Sequence, residues 1–452
     1  MSEPLPSVTE TVPAEPEPTV DTDGAGVPTG GFSRVLRNRA FLALWSAQVA
    51  SQTAQNTLWY VLIILVSNLT GTNPAGIGFT IVLVQLPTVL FSSVAGVLVD
   101  RVSKRFILVS TNVIRVGGVM GYFFLQSHVG GLYLVTFIVA VVSQPFAPAE
   151  GSTIPLIVEE DDLIAANSLF QVTFMASQAV GFAVGPIAIG LLGISTTLLV
   201  LAGLFAFAAL VLIPLPMKTR TSPRRDTGST MALVHKVVND LREVGLYVIR
   251  DRKLATALFQ IALAPTLLLL LAEVGPNFLK QSLGIGNTGT SLFFLLAPAG
   301  VGLGVGIFIL GHFGNRLRQD RLVLVALIAL GVTVIGLASV PGIASIFTAV
   351  SGAFGFHIPE GVRYISAIVP VSFLLGIEVA FINAPVQTIV QERAPPELRG
   401  RVLALQQTLT AAMAIPPLVV VGGIAALIST PATLALMGLF MIAAGLVIVY
   451  YS

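Results

Sequence analysis

The sequence predicts an all-α membrane protein: twelve transmembrane helices in two pseudo-symmetric six-helix bundles. Three observations carry that expectation. The 452 residues are 55% hydrophobic and only 10% charged, against about 25% charged in soluble domains. The apolar residues gather in runs long enough to cross a hydrocarbon core of about 30 Å at about 1.5 Å per residue. The basic residues collect in the turns on one side of those runs. In lipid only helices and closed barrels satisfy every backbone group, and these runs far exceed a barrel strand of about ten residues.

Taken in order, residues 1–32 form an acidic, proline-rich tail, with six prolines, six acids and no Lys or Arg before Gly31. Such a segment cannot bury enough apolar surface to offset its ordering entropy and reads as disordered. It lacks the basic start and apolar core of a signal peptide. The first bundle, 33–217, holds spans at 41–69, 76–99, 106–126, 132–148, 165–193 and 196–214. Residues 218–253 link the halves, first with Pro, Ser and Gly. Then Leu233, Val237, Leu241, Val244 and Val248 recur at helical spacing against charged neighbours. That pattern fits an amphipathic helix on the inner membrane surface, or equally a connecting helix packed on the bundle. The second bundle, 254–452, holds spans at 254–279, 288–311, 322–340, 366–390, 402–428 and 431–450.

Orientation follows from the basic residues. Twenty-one of the 24 lie on one side, in the turns around Arg34, Lys104, 218–253, Arg316 and Arg399. The other side has Lys280 and Arg363, and Arg115 falls within a span. The rich side is expected to be cytoplasmic, with both termini inside. Residues 149–164 read as an acidic loop on that side, which the rule tolerates because acids weigh little in it.

Several function classes find no support. With no cysteine there are no disulfides, thiol catalysis or thiolate metal sites. No nucleophile–base or metal constellation and no nucleotide-binding loop is present, so neither an enzyme, a metal site nor a resident cofactor is expected. No basic patch interleaved with aromatics suggests nucleic acid. The expected partners are a small-molecule substrate, a proton or other ion gradient, and the lipid bilayer, with the chain monomeric.

The halves repeat each other. Gly96-x-x-x-Asp100-Arg101, between spans 2 and 3, is matched by Gly311-x-x-x-Asn315-Arg316 between spans 8 and 9. Thr153-Ile-Pro-Leu-Ile-Val-Glu159 before span 5 parallels Val386-Gln-Thr-Ile-Val-Gln-Glu392 before span 11. Two repeated halves meeting at mid-bilayer are a transporter architecture.

Gly96, Leu98, Asp100, Arg101, Lys104, Arg105 and Leu108 stand at the matching places of the loop signature of the major facilitator superfamily, which the chain resembles. Val99 and Ser103 depart from it. Asn383-Ala-Pro385, Gln391-Glu392 and Pro396-Glu-Leu-Arg399-Gly-Arg401-Val402 resemble the branch with macrolide-efflux and enterobactin-exporter proteins, as do Ile154-Pro155 and Ala166-Asn167-Ser168. The resemblance implies the facilitator fold, alternating access and a cytoplasmic gate. In that gate Asp100 faces the start of span 11, near Arg399 and Arg401, and Asn315 plays the mirror role at the start of span 5. A carboxylate there gains about 0.3–1 kcal/mol from the helix N-terminus. Gly96, Arg101, Lys104, Arg105, Arg115, Gly311 and Arg316 complete the gate, while topology alone accounts for Lys104 and Arg105. Gly181-x-x-x-Gly185-Pro186-x-x-x-Gly190 on span 5 resembles part of a helix-5 motif of facilitator antiporters. Small residues four apart permit close packing.

Three ionisable residues fall within spans. Arg115 suits a structural role, snorkelling or pairing with an acid such as Glu150. Glu273 lies near a span end, where an interfacial position accounts for it. Glu378 sits mid-span, where a charged carboxylate is costly. It is therefore the candidate proton-coupling residue, with a neutral carboxyl bonded to a neighbouring helix as the plain alternative. Gln48, Gln52, Gln55 and Asn56 on span 1, with Gln85, Gln178 and Asn383, are the candidates to line a substrate cavity. The expected function is proton-coupled export of small amphipathic molecules. The alternatives are an uptake permease for a sugar or metabolite and a transport-inactive membrane scaffold or receptor.

Overall fold

The computed structural model describes residues 30–215, 245, 247–248, 250–284, 288–313, 319–342, 344–345, 364–393 and 399–451. The tail before Gly30 and most of the linker lie outside these residues. In the first half a short helix, α1 (Gly30–Arg37), leads into α2 (Arg39–Leu69), α3 (Pro74–Arg101), α4 (Lys104–Phe124), α5 (Val129–Ser143), α6 (Phe146–Ile157) and α7 (Leu163–Leu212). The second half holds α8 (Arg252–Asn277), which runs into a π-turn at Phe278–Ser282, then α9 (Thr288–Phe313), α10 (Gln319–Ala338), α11 (Ile365–Arg393), α12 (Arg399–Leu427) and α13 (Thr430–Tyr451).

Local chemistry starts these helices where it should. The Asn38 side chain accepts from the backbone N–H groups of Ala40 and Phe41, and Asn73 accepts from Ala75 with Pro74 at the first position. Ser103 accepts from Phe106. Each supplies an acceptor to donors the helix leaves unpaired, and proline there forfeits no bond. Large apolar side chains such as Phe106, Phe124, Leu210, Phe308 and Val325 point outward. Water would not tolerate such a belt, and lipid does.

Eleven helices among the described residues are long and apolar enough to cross a membrane, against twelve expected. The difference arises in α7, one 50-residue element that contains the fifth and sixth expected spans. Gly193, at φ 77° and ψ 166°, breaks it between the two. The stretch read as an acidic loop at 149–164 is corrected: α6 carries the helix on to Ile157, followed by a single 3-10 turn at Glu160–Asp162.

Within the first half α2 and α4 pack on α7, and within the second α9 and α10 pack on α11 while α13 packs on α10. Two pairs join the halves, α3 with α12 and α7 with α9, and α8 also reaches α3. The turns rich in Arg and Lys sit at one end of the bundle, here the basic end. Thr72, Asn277 and Thr430 sit at the far end.

Candidate functional site

The α3–α12 pair runs antiparallel along the junction. A Cβ added to Gly422 would stand 2.8 Å from the Ala75 backbone, and one on Gly78 would stand 3.1 Å from the Leu418 carbonyl. Farther toward the basic end the Ser92 and Thr408 hydroxyls are 3.0 Å apart. At the far end the Asn277 amide donates to the Thr72 carbonyl at 3.1 Å, joining the halves, and the Thr430 hydroxyl donates to Asn277. Thr72, Asn277 and Thr430 are buried, so the α3–α12 side of this end is packed. Nothing in the sequence reading singled out these groups. The one available signal was polar residues one turn apart, Glu273 and Asn277, after the apolar run Leu267–Ala272 of α8.

Glu273 corrects an expectation. Instead of lying at the interface with lipid headgroups it is 0% exposed, and both carboxylate oxygens lack a hydrogen-bond partner among the described residues.

The gate residues are placed as follows. Asp100 and Arg101 are exposed at the end of α3, and Lys104 and Arg105 begin α4. A Cβ on Gly96 or Gly311 would meet no described atom within 4 Å. Arg399 and Arg401 stand on the first turn of α12, while Asn315 and Arg316 lie outside the described residues.

Arg115 is buried inside the first half. Its guanidinium donates to Ser51 at 2.9 Å and Ser143 at 3.1 Å and lies over the Phe146 ring at 4.4 Å. Glu150 is buried on α6 in the same half. A buried guanidinium needs its bonds found locally, and these lie within the first half, away from the α3–α12 junction. Beside it opens a cavity of about 190 Å³ lined by Gln55, Trp59, Arg115, Tyr122, Thr136 and Gln144, among others. It lies between α2, α3, α4 and α5, within one half.

The polar residues of α2 do not share one destination. Gln48 is buried and donates to the Phe170 carbonyl of α7 at 3.3 Å. Gln55 lines the cavity. Asn56 packs against Gly181 of α7. Gln52, Gln85, Gln178 and Asn383 are half-buried, and neither they nor Asn56 line that cavity. Gly181 and Gly185 bring α7 onto Asn56 and Tyr60 of α2, and Pro186 is buried. Gly190 instead meets open space, in a hollow of about 240 Å³ shared with Phe293 of α9. Glu378 is 9% exposed and accepts from the Thr333 hydroxyl of α10 at 2.8 Å, while its second oxygen has no partner among the described residues.

The sequence profile described as Major Facilitator Superfamily matches residues 44–417. The chain belongs to the major facilitator superfamily. Macrolide efflux protein A of Streptococcus pyogenes is 23% identical over 372 residues, covering 81% of this chain and 84% of that one. An uncharacterised MFS-type transporter of Bacillus subtilis (strain 168), YkuC, is 23% identical over 229 residues, about half of each chain. Among solved structures, the nucleoside transporter NupG aligns with a TM-score of 0.66 at 12% identity, covering 90% of this facilitator and 98% of NupG. The D-xylose-proton symporter aligns at 0.61 and 11% identity, covering 91% and 97%. The chain is therefore a multi-pass membrane transporter of the facilitator fold, a family that handles small-molecule substrates.

Proposed function

We propose that this facilitator exports small amphipathic molecules, drug-like or siderophore-like, in exchange for protons, by alternating access of its two halves. The observation that carries the reading is the α3–α12 junction, shut at the far end by backbone-close contacts at Gly78 and Gly422. A junction of rigid helices that closes at one end can rock to close at the other. The basic end is then cytoplasmic, with both termini inside, and the far end is external. Continuing the Ser92–Thr408 register along the antiparallel pair brings Asp100 level with Arg399 and Arg401. There a carboxylate gains from the helix N-terminus and from ion pairing when the cytoplasmic side closes. The macrolide efflux relatives favour export of an amphipathic cargo. The chain acts as a monomer in this reading.

Glu378 is the proposed coupling acid. Its hydroxyl partner Thr333 can donate to either protonation state, and its second oxygen is free to take a proton. In cells stripped of efflux pumps, expression should lower accumulation of a responsive lipophilic cation, macrolide or siderophore. Glu378→Gln should abolish that lowering by removing the proton exchange. Equal low accumulation with wild type and Glu378→Gln excludes Glu378. No change for any compound, with no movement in reconstituted vesicles under a pH gradient, favours the transport-inactive scaffold instead.

A further inference from the structure

Glu273 has a setting that the transport reading above does not use. Its carboxyl group fills a notch formed by two glycines from opposite halves. A Cβ on Gly422 of α12 would stand 2.6 Å from Glu273 Oε1, and one on Gly78 of α3 would come closer still. One turn further along α8, Asn277 ties to Thr72 and Thr430 and shuts the far end behind it. The group is thus enclosed by residues of both halves.

An ionised carboxylate here would lose its water and find no donor and no counter-charge among the described residues. That penalty is several kcal/mol, whereas a neutral carboxyl fits at modest cost. Separating the halves returns water to the group and permits ionisation. Closure and a bound proton therefore favour each other, as two events linked through one equilibrium must.

Glu378 of α11, which also packs on α8, is engaged by the Thr333 hydroxyl of α10. On α3 and α12 the ionisable groups are Asp100, Arg101, Arg399 and Arg401, all at the basic end. On α8 and its π-turn, Arg252 and Lys253 lie at the basic end, and Lys280 is exposed. Tyr133 of α5 reaches α3 nearby, but its hydroxyl donates to the Gly76 carbonyl at 3.1 Å.

We propose that Glu273 is a proton-operated latch on the far-end seal, closed with the proton on its carboxyl and released when that proton passes to external water. The latch deepens the transport reading and rests on it for its purpose.

The natural chain has no cysteine. Asn68→Cys and Ile428→Cys, both exposed at the far end, can therefore carry a spin-label pair across the seal. The full chain is placed in liposomes without cargo, and the label distance is read from acid to alkaline pH. In the otherwise wild-type chain the short distance should dominate at acid pH and give way to a longer one as pH rises. Glu273→Gln, neutral and of the same shape, should hold the short distance throughout. Gly422→Ala, whose methyl displaces the carboxyl, should hold the long one.

A wild-type distance that ignores pH overturns the latch, and so does Glu273→Gln tracking wild type. If Glu273→Gln does not fold, Gly422→Ala closing with the wild-type pH dependence overturns it equally. Closure that follows sodium at fixed pH also overturns it. The readout needs no cargo. Absent transport with an intact Glu273 response defeats the function reading alone, and transport with a distance indifferent to Glu273 defeats the latch alone.

Discussion

Asp251 serves two partners at the entry of α8. Its carboxylate accepts from the Lys253 and Leu254 backbone N–H groups at 3.0 and 3.2 Å and pairs with Arg393 at the end of α11 at 3.1 Å. Partial burial pushes its titration upward. The bonds from Leu254, Arg393 and Lys253 together outweigh that and hold it below the usual carboxylate range. A depressed folded-state value means the stabilisation is present above the ordinary value of about 3.9 and is lost as pH falls through the depressed one. Asp251→Ala should lower stability at neutral pH by about 1 kcal/mol, the usual loss for a helix cap. Its thermal midpoint should then change less than wild type below about pH 4. Parallel curves for the two proteins would remove Asp251 from the acid response. Such side-chain roles were unevenly legible. Arg115 was readable as structural because a lone charge in an apolar run has few alternatives. Gln48, Gln52 and Gln55 share a spacing on α2, yet Gln48 meets the α7 backbone and Gln55 a cavity, while Asn56 meets a glycine.

Among elements, glycines divide by what they face. A Cβ on Gly376 of α11 would strike the Ala299 carbonyl and stand 2.6 Å from the Leu303 amide nitrogen of α9. Backbone cannot swing aside, so Gly376→Ala should cost about 1–3 kcal/mol as overpacking does. Gly96→Ala meets open space among the described residues and should leave the thermal midpoint within a degree or so of wild type. Equal losses for the two variants would show that the α9–α11 contact is not the tight one. The spans themselves were legible to within a few residues, because lipid demands continuous apolar helix and the sequence has little else. The stretch at 149–164 was not, because Gly151, Pro155 and four consecutive acids carry the signals of a loop. The Phe146 ring under the Arg115 guanidinium and the burial of Ala149, Glu150, Thr153 and Ile154 tie α6 into the first half.

For the whole molecule, the proposed cycle separates the halves along α3 and α12. Ser92→Cys with Thr408→Cys replaces two hydroxyls 3.0 Å apart, in a chain otherwise free of thiols. Oxidation should pin the junction and reduce transport by more than tenfold, with recovery on adding reductant. Undiminished transport by the oxidised double variant would show that the junction does not move. The family was legible from the turn between Gly96 and Leu108 alone, where charges are wedged between apolar runs. The seal was not, because the notch around Glu273 is built from Gly78 and Gly422, distant in sequence and silent as residue types. The two ends of the machine are also made of different materials. Backbone, amide and hydroxyl contacts close the far end, whereas the proposed cytoplasmic closure brings full charges together. Mobile ions screen exposed charges over about 10 Å at 0.1 M salt and barely touch neutral contacts. In the proposed cycle, ionic strength therefore tilts the rocking equilibrium in one direction only, by weakening closure at the basic end and so favouring the conformer open at that end.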